Sequence, residues 1–269
     1  MIKLLVSDID GTLVTKDKRL TPAAREAAAQ LAEAGVALAL TSSRPPHGVA
    51  LFADELHLET PRAGFNGGAI VDASGTLLSA LHVPEDAVRD ALDHLRSRDI
   101  DPWLFTTSEW LLVNPQGDYV DWEQHTVQMP YRVVADFNGE MAEAGKLMAA
   151  SKDFAKLAGC EVALQESLAG RASVHLSQDY YLDITHPEAT KGYAVKSIAA
   201  LLGIDVADTA AIGDMPNDLP MFDVAAHCIA MGNAPDAVKA RADYVTRSNE
   251  EDGWAQAVAH YILPRAKGG

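Results

Sequence analysis

The sequence predicts an α/β protein, a parallel sheet covered by helices on both faces and interrupted by an inserted α+β segment. Three observations carry this. Residues 2–6 and 36–40 are short, uninterrupted apolar runs, the pattern of strands buried on both faces. Helical patterns separate them. From Thr190 the same rhythm of helix and apolar strand returns, after about a hundred residues of closely spaced strand-like runs. A chain of 269 residues is long enough for one large domain or for a domain carrying a second.

The elements follow in order. The run 2–6 ends at Ser-Asp-Ile-Asp-Gly, so a strand feeds a polar loop. Thr21-Pro22 reads as an N-cap with Pro at the first helical position, opening a helix with apolar Ala27, Leu31 and Ala34 that Gly35 ends. Strand 36–40 runs into Thr-Ser-Ser-Arg-Pro. A helix over about 46–57 and a short strand into Phe65-Asn66-Gly-Gly follow. Pro84 starts a helix to about 98; strands are expected at 103–105, 110–113, about 146–150, 172–176 and 180–184, with a helix over about 153–168. Close spacing of the strands predicts an antiparallel sheet with helices on one face. The expected division is 1–82 with 187–269 for the core and 83–186 for the insertion. Trp103, Trp110 and Trp122 are expected in the insertion's core, and Lys267-Gly-Gly269 as a frayed end.

Composition narrows the function. Acidic residues number 38 against 22 basic ones, a net charge of −16. No Lys/Arg cluster offers the basic face that nucleic acid requires, so no nucleic-acid partner is expected. No apolar stretch approaches a membrane span, and the start reaches an acid at Asp8, unlike a secretory signal. Cys160 and Cys228 lack the spacing of a disulfide framework or zinc site. These features predict a cytoplasmic protein. Walker, dinucleotide and nucleophile-elbow signatures are absent, which removes P-loop kinases, Rossmann dehydrogenases and α/β-hydrolases.

In open α/β sheets ligands bind beyond the carboxyl ends of the strands. Four polar clusters fall there: Asp8-Ile-Asp10-Gly-Thr12, Ser42-Ser-Arg44, Lys191 at a helix start, and Gly213-Asp214-Met-Pro-Asn217-Asp218. Asp8 and Asp10, two apart on extended chain, repel unless a cation sits between them. Mg²⁺ suits such oxygen donors, and Asp214 can add the missing ligand. Asp10-Gly11 alone also reads as turn chemistry, Ser42 as an N-cap, and Asn66 as a turn residue. An EF-hand is excluded, because its required glycine would fall on Leu13.

Asp8-Ile-Asp10-Gly-Thr-Leu resembles the first motif of the haloacid dehalogenase superfamily. Ser42, Lys191 and Gly213-Asp214-x-x-Asn217-Asp218 stand where its other three motifs belong. The insertion and Asn66-Gly-Gly resemble the Cof-type sugar-phosphatase branch, with a Rossmann-like core and an α/β cap. The resemblance implies a Mg²⁺-dependent phosphatase acting on a small phosphorylated metabolite. Asp8 would be the nucleophile and Asp10 the acid and base. Mg²⁺ would be held by Asp8, the Asp10 carbonyl and Asp214, with Asn217 and Asp218 orienting these ligands. Ser42, Lys191, Arg44 and Asn66 would contact phosphate or substrate. The usual Thr-Gly-Arg of the second motif is Ser42-Ser43-Arg44 here. A phosphomutase, or a non-catalytic binding protein on the same fold, is the alternative.

Overall fold

The protein is described by a computed structural model over residues 1–266; the fraying expected at 267–269 lies outside the described residues. The chain opens with β1 (Leu4–Ser7), α1 (Pro22–Glu33), β2 (Ala37–Leu40) and α2 (Pro46–Glu55). Thr21 caps α1, its hydroxyl accepting from the Ala24 amide at 3.1 Å. A three-stranded antiparallel sheet follows, β3 (Arg62–Gly64), β4 (Ala69–Val71) and β5 (Leu77–Ala80).

The middle of the chain forms α3 (Glu85–Ser97), β6 (Pro102–Phe105), β7 (Trp110–Leu112), α4 (Val120–Val127), β8 (Tyr131–Val133), β9 (Lys146–Ala150), α5 (Phe154–Ser167), β10 (Ser173–Gln178) and β11 (Tyr181–Thr185). Its six strands lie in the order β10-β11-β9-β6-β7-β8. All neighbours are antiparallel except β7 and β8, which pair in parallel. The last part supplies α6 (Lys191–Leu202), β12 (Thr209–Gly213), β13 (His227–Ala230) and β14 (Tyr244–Val245), then short helical turns.

The five-stranded sheet is wholly parallel, in the order β14-β13-β12-β1-β2. Strand alternation divides its side chains between two cores. Leu5, Leu38, Leu40 and Ile212 pack with α1, α2 and the C-terminal turns, while Leu4, Val6, Ala39 and Ala211 pack with α6. In the cap region, α3 and α5 cover one face of the antiparallel sheet through Leu104, Leu147, Leu182 and Ile184. The other face turns toward the parallel-sheet core, and its Trp103, Phe105, Trp110 and Met148 cluster with Phe65.

Three features depart from expectation. The helix α4 has no signature in sequence: its flanking residues Tyr119 and Gln128 adopt left-handed conformations, and no side chain caps its start. It is held by burial of Val120 and Val127. The edge strand β8 is too short and exposed to read as a strand. Trp122, expected in the cap core, is 49% exposed on α4, whereas Trp103 and Trp110 are fully buried.

Candidate active site

The strands of the parallel sheet deliver their polar ends to one rim. β1 is flanked by β12 on one side and β2 on the other, so its carboxyl end lies where the chain's crossovers diverge, the usual binding position in such sheets. Asp8 follows β1, and its amide donates to Ile212 of β12 at 3.0 Å. Asp214 follows β12. Ser42 follows β2, held by its amide to Ala63 O at 3.1 Å, and its hydroxyl accepts from the Arg44 amide at 3.2 Å. Lys191 is the first residue of α6, capped by the Thr190 hydroxyl.

Lys191 is 1% exposed and joins the acids. Its Nζ donates to Asp8 Oδ1 at 2.6 Å and to Asp218 Oδ1 at 2.5 Å. Asp218 Oδ2 accepts from the amides of Asp214 and Met215 at 2.7 and 2.8 Å, so both its oxygens are engaged and it ties the turn after β12 to Lys191. Asp214 Oδ1 accepts from the Thr12 hydroxyl at 2.8 Å, and its Oδ2 from Asn233 at 3.2 Å. Asp8, Asp214 and Asp218 bring carboxylate oxygens within 4.8 Å of one another.

One ammonium against three buried carboxylates leaves excess negative charge. Burial raises the Asp8 carboxyl well above its ordinary range despite Lys191, and Asp218 and Asp214 push the same way. Burial, reinforced by Asp218, pushes Asp214 up to about 6. The same acids hold the Lys191 ammonium firmly protonated, overcoming its burial. A hard divalent cation among Asp8, Asp214 and their neighbours would relieve that excess, so the donor set fits one.

Gly11 permits this approach. Its φ is +79°, and a Cβ there would fall on the Asp214 carboxylate. Gly11→Ala is expected to cost about 2 kcal/mol from the left-handed backbone and the displaced Asp214. Urea denaturation checks the loss. A metal titration should show weaker binding alongside it.

Asp10 faces different neighbours. Arg44 donates Nε to its Oδ2 at 2.7 Å and Nη2 to its Oδ1 at 2.8 Å, and Lys18 donates to Oδ1 at 2.6 Å. Against its burial, these cations hold the Asp10 carboxyl far below the usual carboxylate range. The third arm of Arg44, Nη1, donates to Thr126 O at the end of α4 at 2.8 Å. Arg44 therefore links Asp10 to the cap and does not line the main cavity, where the sequence places it as a substrate contact. That cavity of 410 Å³ has Asp8, Asp10, Ser42 and Lys191 at its floor and His175 and Asp183 of the cap hairpin above. Asn66 and Asn217 also line it, joined by Asn217 Nδ2 donating to Asn66 Oδ1 at 3.2 Å. Asn217 is exposed there and makes no hydrogen bond to the acidic cluster among the described residues.

Lys18 and Asn233 escaped the sequence reading, and Thr12, named in the first cluster, was given no role there. Asn233 had a signal: it lies just beyond the carboxyl end of β13, the position that singled out the others. Its Nδ2 donates to Gly11 O at 2.8 Å.

A parallel α/β core under a sheet-rich cap, with buried acids and one lysine at the strand ends, defines a capped α/β enzyme. The chain belongs to the haloacid dehalogenase-like hydrolases, whose family profile matches residues 5–258. It is 29% identical to a 5-amino-6-(5-phospho-D-ribitylamino)uracil phosphatase of Bacillus subtilis, YwtE, over 97% of each chain. It is 28% identical to the pyridoxal phosphate phosphatase YbhA of Escherichia coli, over 97% of this chain and 99% of that one. A haloacid dehalogenase-like hydrolase from Bacteroides thetaiotaomicron superposes with a TM-score of 0.88 at 30% identity, covering 96% of this chain and 99% of the other. The resemblance to the Cof-type branch holds, and the protein is a phosphoric monoester hydrolase. Among the described residues no helix is long and apolar enough to cross a membrane.

Proposed function

We propose that the protein is a Mg²⁺-dependent phosphatase of small phosphate monoesters, such as sugar or cofactor phosphates, acting through an aspartyl-phosphate on Asp8. The observation that carries this reading is Lys191 bridging Asp8 and Asp218 beside Asp214 on the floor of a 410 Å³ cavity. A phosphoryl dianion entering this acidic chain needs a local cation field, and the lysine and a metal site are its sources here. The substrates named for the Bacillus and Escherichia relatives are also small phosphate monoesters.

Asp8 Oδ attacks phosphorus as the bond to the leaving oxygen breaks, and Asp10 gives that oxygen its proton. Water then attacks phosphorus, Asp10 takes its proton, and the Asp8–phosphorus bond breaks to release phosphate. Arg44 and Lys18 favour the ionised Asp10 that the second half needs. The entering dianion offsets part of their field, so Asp10 can take up the proton that the first half requires. Ser42 and Lys191 hold phosphoryl oxygens. Asp8, the Asp10 carbonyl and Asp214 would hold Mg²⁺, which neutralises charge on the transferring group when bound. Asp218 orients Lys191 and the turn carrying Asp214. The core, 1–82 with 187–269, carries the chemistry, and the cap, 83–186, excludes water and selects the leaving group. The two buried free cysteines suit a reducing cytoplasm.

Hydrolysis of 4-nitrophenyl phosphate tests the reading: turnover is expected with Mg²⁺ and none with chelator. Failure to turn over any phosphate monoester with Mg²⁺ refutes it. The metal should also bind with a pH dependence of definite sign. Asp214, raised to about 6, must lose its proton to ligate. Thermal melts with and without Mg²⁺ should therefore diverge above about pH 6 and converge toward pH 5.

A further inference from the structure

A second chamber of 140 Å³ adjoins the first, and the two share Asp10, Ser43, Ser177 and Gln178 as a common neck. Its wall holds three cations, each already committed. Lys18 and Arg44 are bound to Asp10. Lys146 lies 3.0 Å from Asp183 Oδ1 and donates to Ser43 O at 3.3 Å.

One acid in the same wall has no cation of its own. Glu123 of α4 is 5% exposed and lines the chamber. Among the described residues its carboxyl makes no ion pair within 4.0 Å, the cations of the wall being paired with Asp10 and Asp183. Beside it lies the buried Tyr181 hydroxyl, which makes no hydrogen bond of good geometry and has the Glu123 carboxyl as its nearest polar neighbour. Burial holds the Glu123 carboxyl above its ordinary range, against the pull of Lys146. Buried polar groups are almost always satisfied, and an unmatched carboxyl costs more than an unmatched hydroxyl. One hydroxyl at poor geometry cannot satisfy the two oxygens of a carboxyl, so the chamber calls for a donor brought by a ligand. A second anionic group would meet an uncompensated acid instead. Trp122 and Tyr180 add aromatic surface to the same wall.

We propose that this chamber receives the far end of the leaving group, and that Glu123 with Tyr181 binds an amino or ring N–H group there. The proposal rests on the phosphatase reading and narrows it to phosphate monoesters whose alcohol carries such a donor. Position supports it: the leaving oxygen must lie against the Asp10 carboxyl, and that carboxyl stands at the neck between the chambers.

The test compares glucosamine 6-phosphate with glucose 6-phosphate, and pyridoxamine 5′-phosphate with pyridoxal 5′-phosphate, with 4-nitrophenyl phosphate as a probe whose leaving group carries no N–H donor. In at least one pair the wild type should favour the amino member in kcat/KM by about tenfold, the worth of one hydrogen bond to a charged group. Glu123→Gln should bring that ratio below about two while 4-nitrophenyl phosphate turnover stays within about twofold. Tyr181→Phe should lower the same ratio, which guards against a Gln variant that fails to fold. A wild type without preference in either pair, or a preference that both variants keep, overturns the proposal. Absence of 4-nitrophenyl phosphate turnover in the wild type instead refutes the phosphatase reading beneath it.

Discussion

Asp8→Asn is expected to abolish turnover of 4-nitrophenyl phosphate, by roughly four orders of magnitude or more, without unfolding the protein. An amide has the shape of the carboxylate but cannot attack phosphorus. Its effect on stability should run opposite to its effect on rate. The Asp8 carboxyl is held well above its ordinary range by burial, with Asp218 and Asp214 adding to the effect. A group whose folded pKa exceeds its unfolded value contributes stability below the unfolded pKa and loses it as pH rises through the folded one. In its ionised form Asp8 is therefore a strain on the metal-free fold, and a neutral isostere relieves it. Asparagine still offers an oxygen to Lys191. Steady-state rates and thermal melts in chelator read both effects: activity lost, melting temperature unchanged or higher. Surviving activity would remove Asp8 as nucleophile, and a collapsed melting temperature would make its role structural.

Lys191→Ala should lose both properties together. The ammonium is 1% exposed and is the single cation bonded to Asp8 and Asp218 among the described residues. Deleting one partner of a buried pair strands the other, at a cost of about 3–5 kcal/mol. Here two carboxylates are stranded. Loss of a donor poised for the transferring group should also lower kcat by about 10²–10³-fold. With the ammonium gone, the folded-state Asp8 carboxyl rises further, so lowering the pH from 8 to 5 should recover part of the stability and none of the rate. Urea denaturation across that range reads the recovery. Lys191→Arg should not restore activity, because a planar fork cannot replace a compact ammonium between two acids.

The core was legible because its chemistry sits at the ends of apolar strands. Asp8, Ser42 and Asp214 each follow such a run, and Lys191 opens a capped helix, so local pattern alone located them. What local pattern could not supply is direction. Arg44 reads as a substrate contact beside Ser42, yet its guanidinium turns to Asp10 and to Thr126, more than eighty residues away. Asn217 shares a motif with Asp218, but one is exposed and meets Asn66 while the other is buried under Lys191. In the cap the loss is greater. Helix α4 lacks capping residues and strong amphipathicity, so neither it nor Glu123 was visible, and Trp122 was assigned to a core it does not join.

The place of β1 in its sheet has a consequence for biosynthesis. β1 is bordered by β2, which follows it closely in the chain, and by β12, which begins at Thr209. During translation the β2 edge can zip early, while the other edge of Leu4–Ser7 waits for some two hundred residues to emerge. All six strands of the cap sheet lie within that interval. A ribosome-bound fragment thus carries a cap able to complete its own pairing beside a half-built core with an open apolar edge, the kind of surface that invites mispairing. Asp8 is made before the cap and can meet Lys191 and Asp214 only after the cap strands have emerged. Truncated products are consequently born without the assembled site, and the nascent chain depends on protection of one strand edge until β12 arrives.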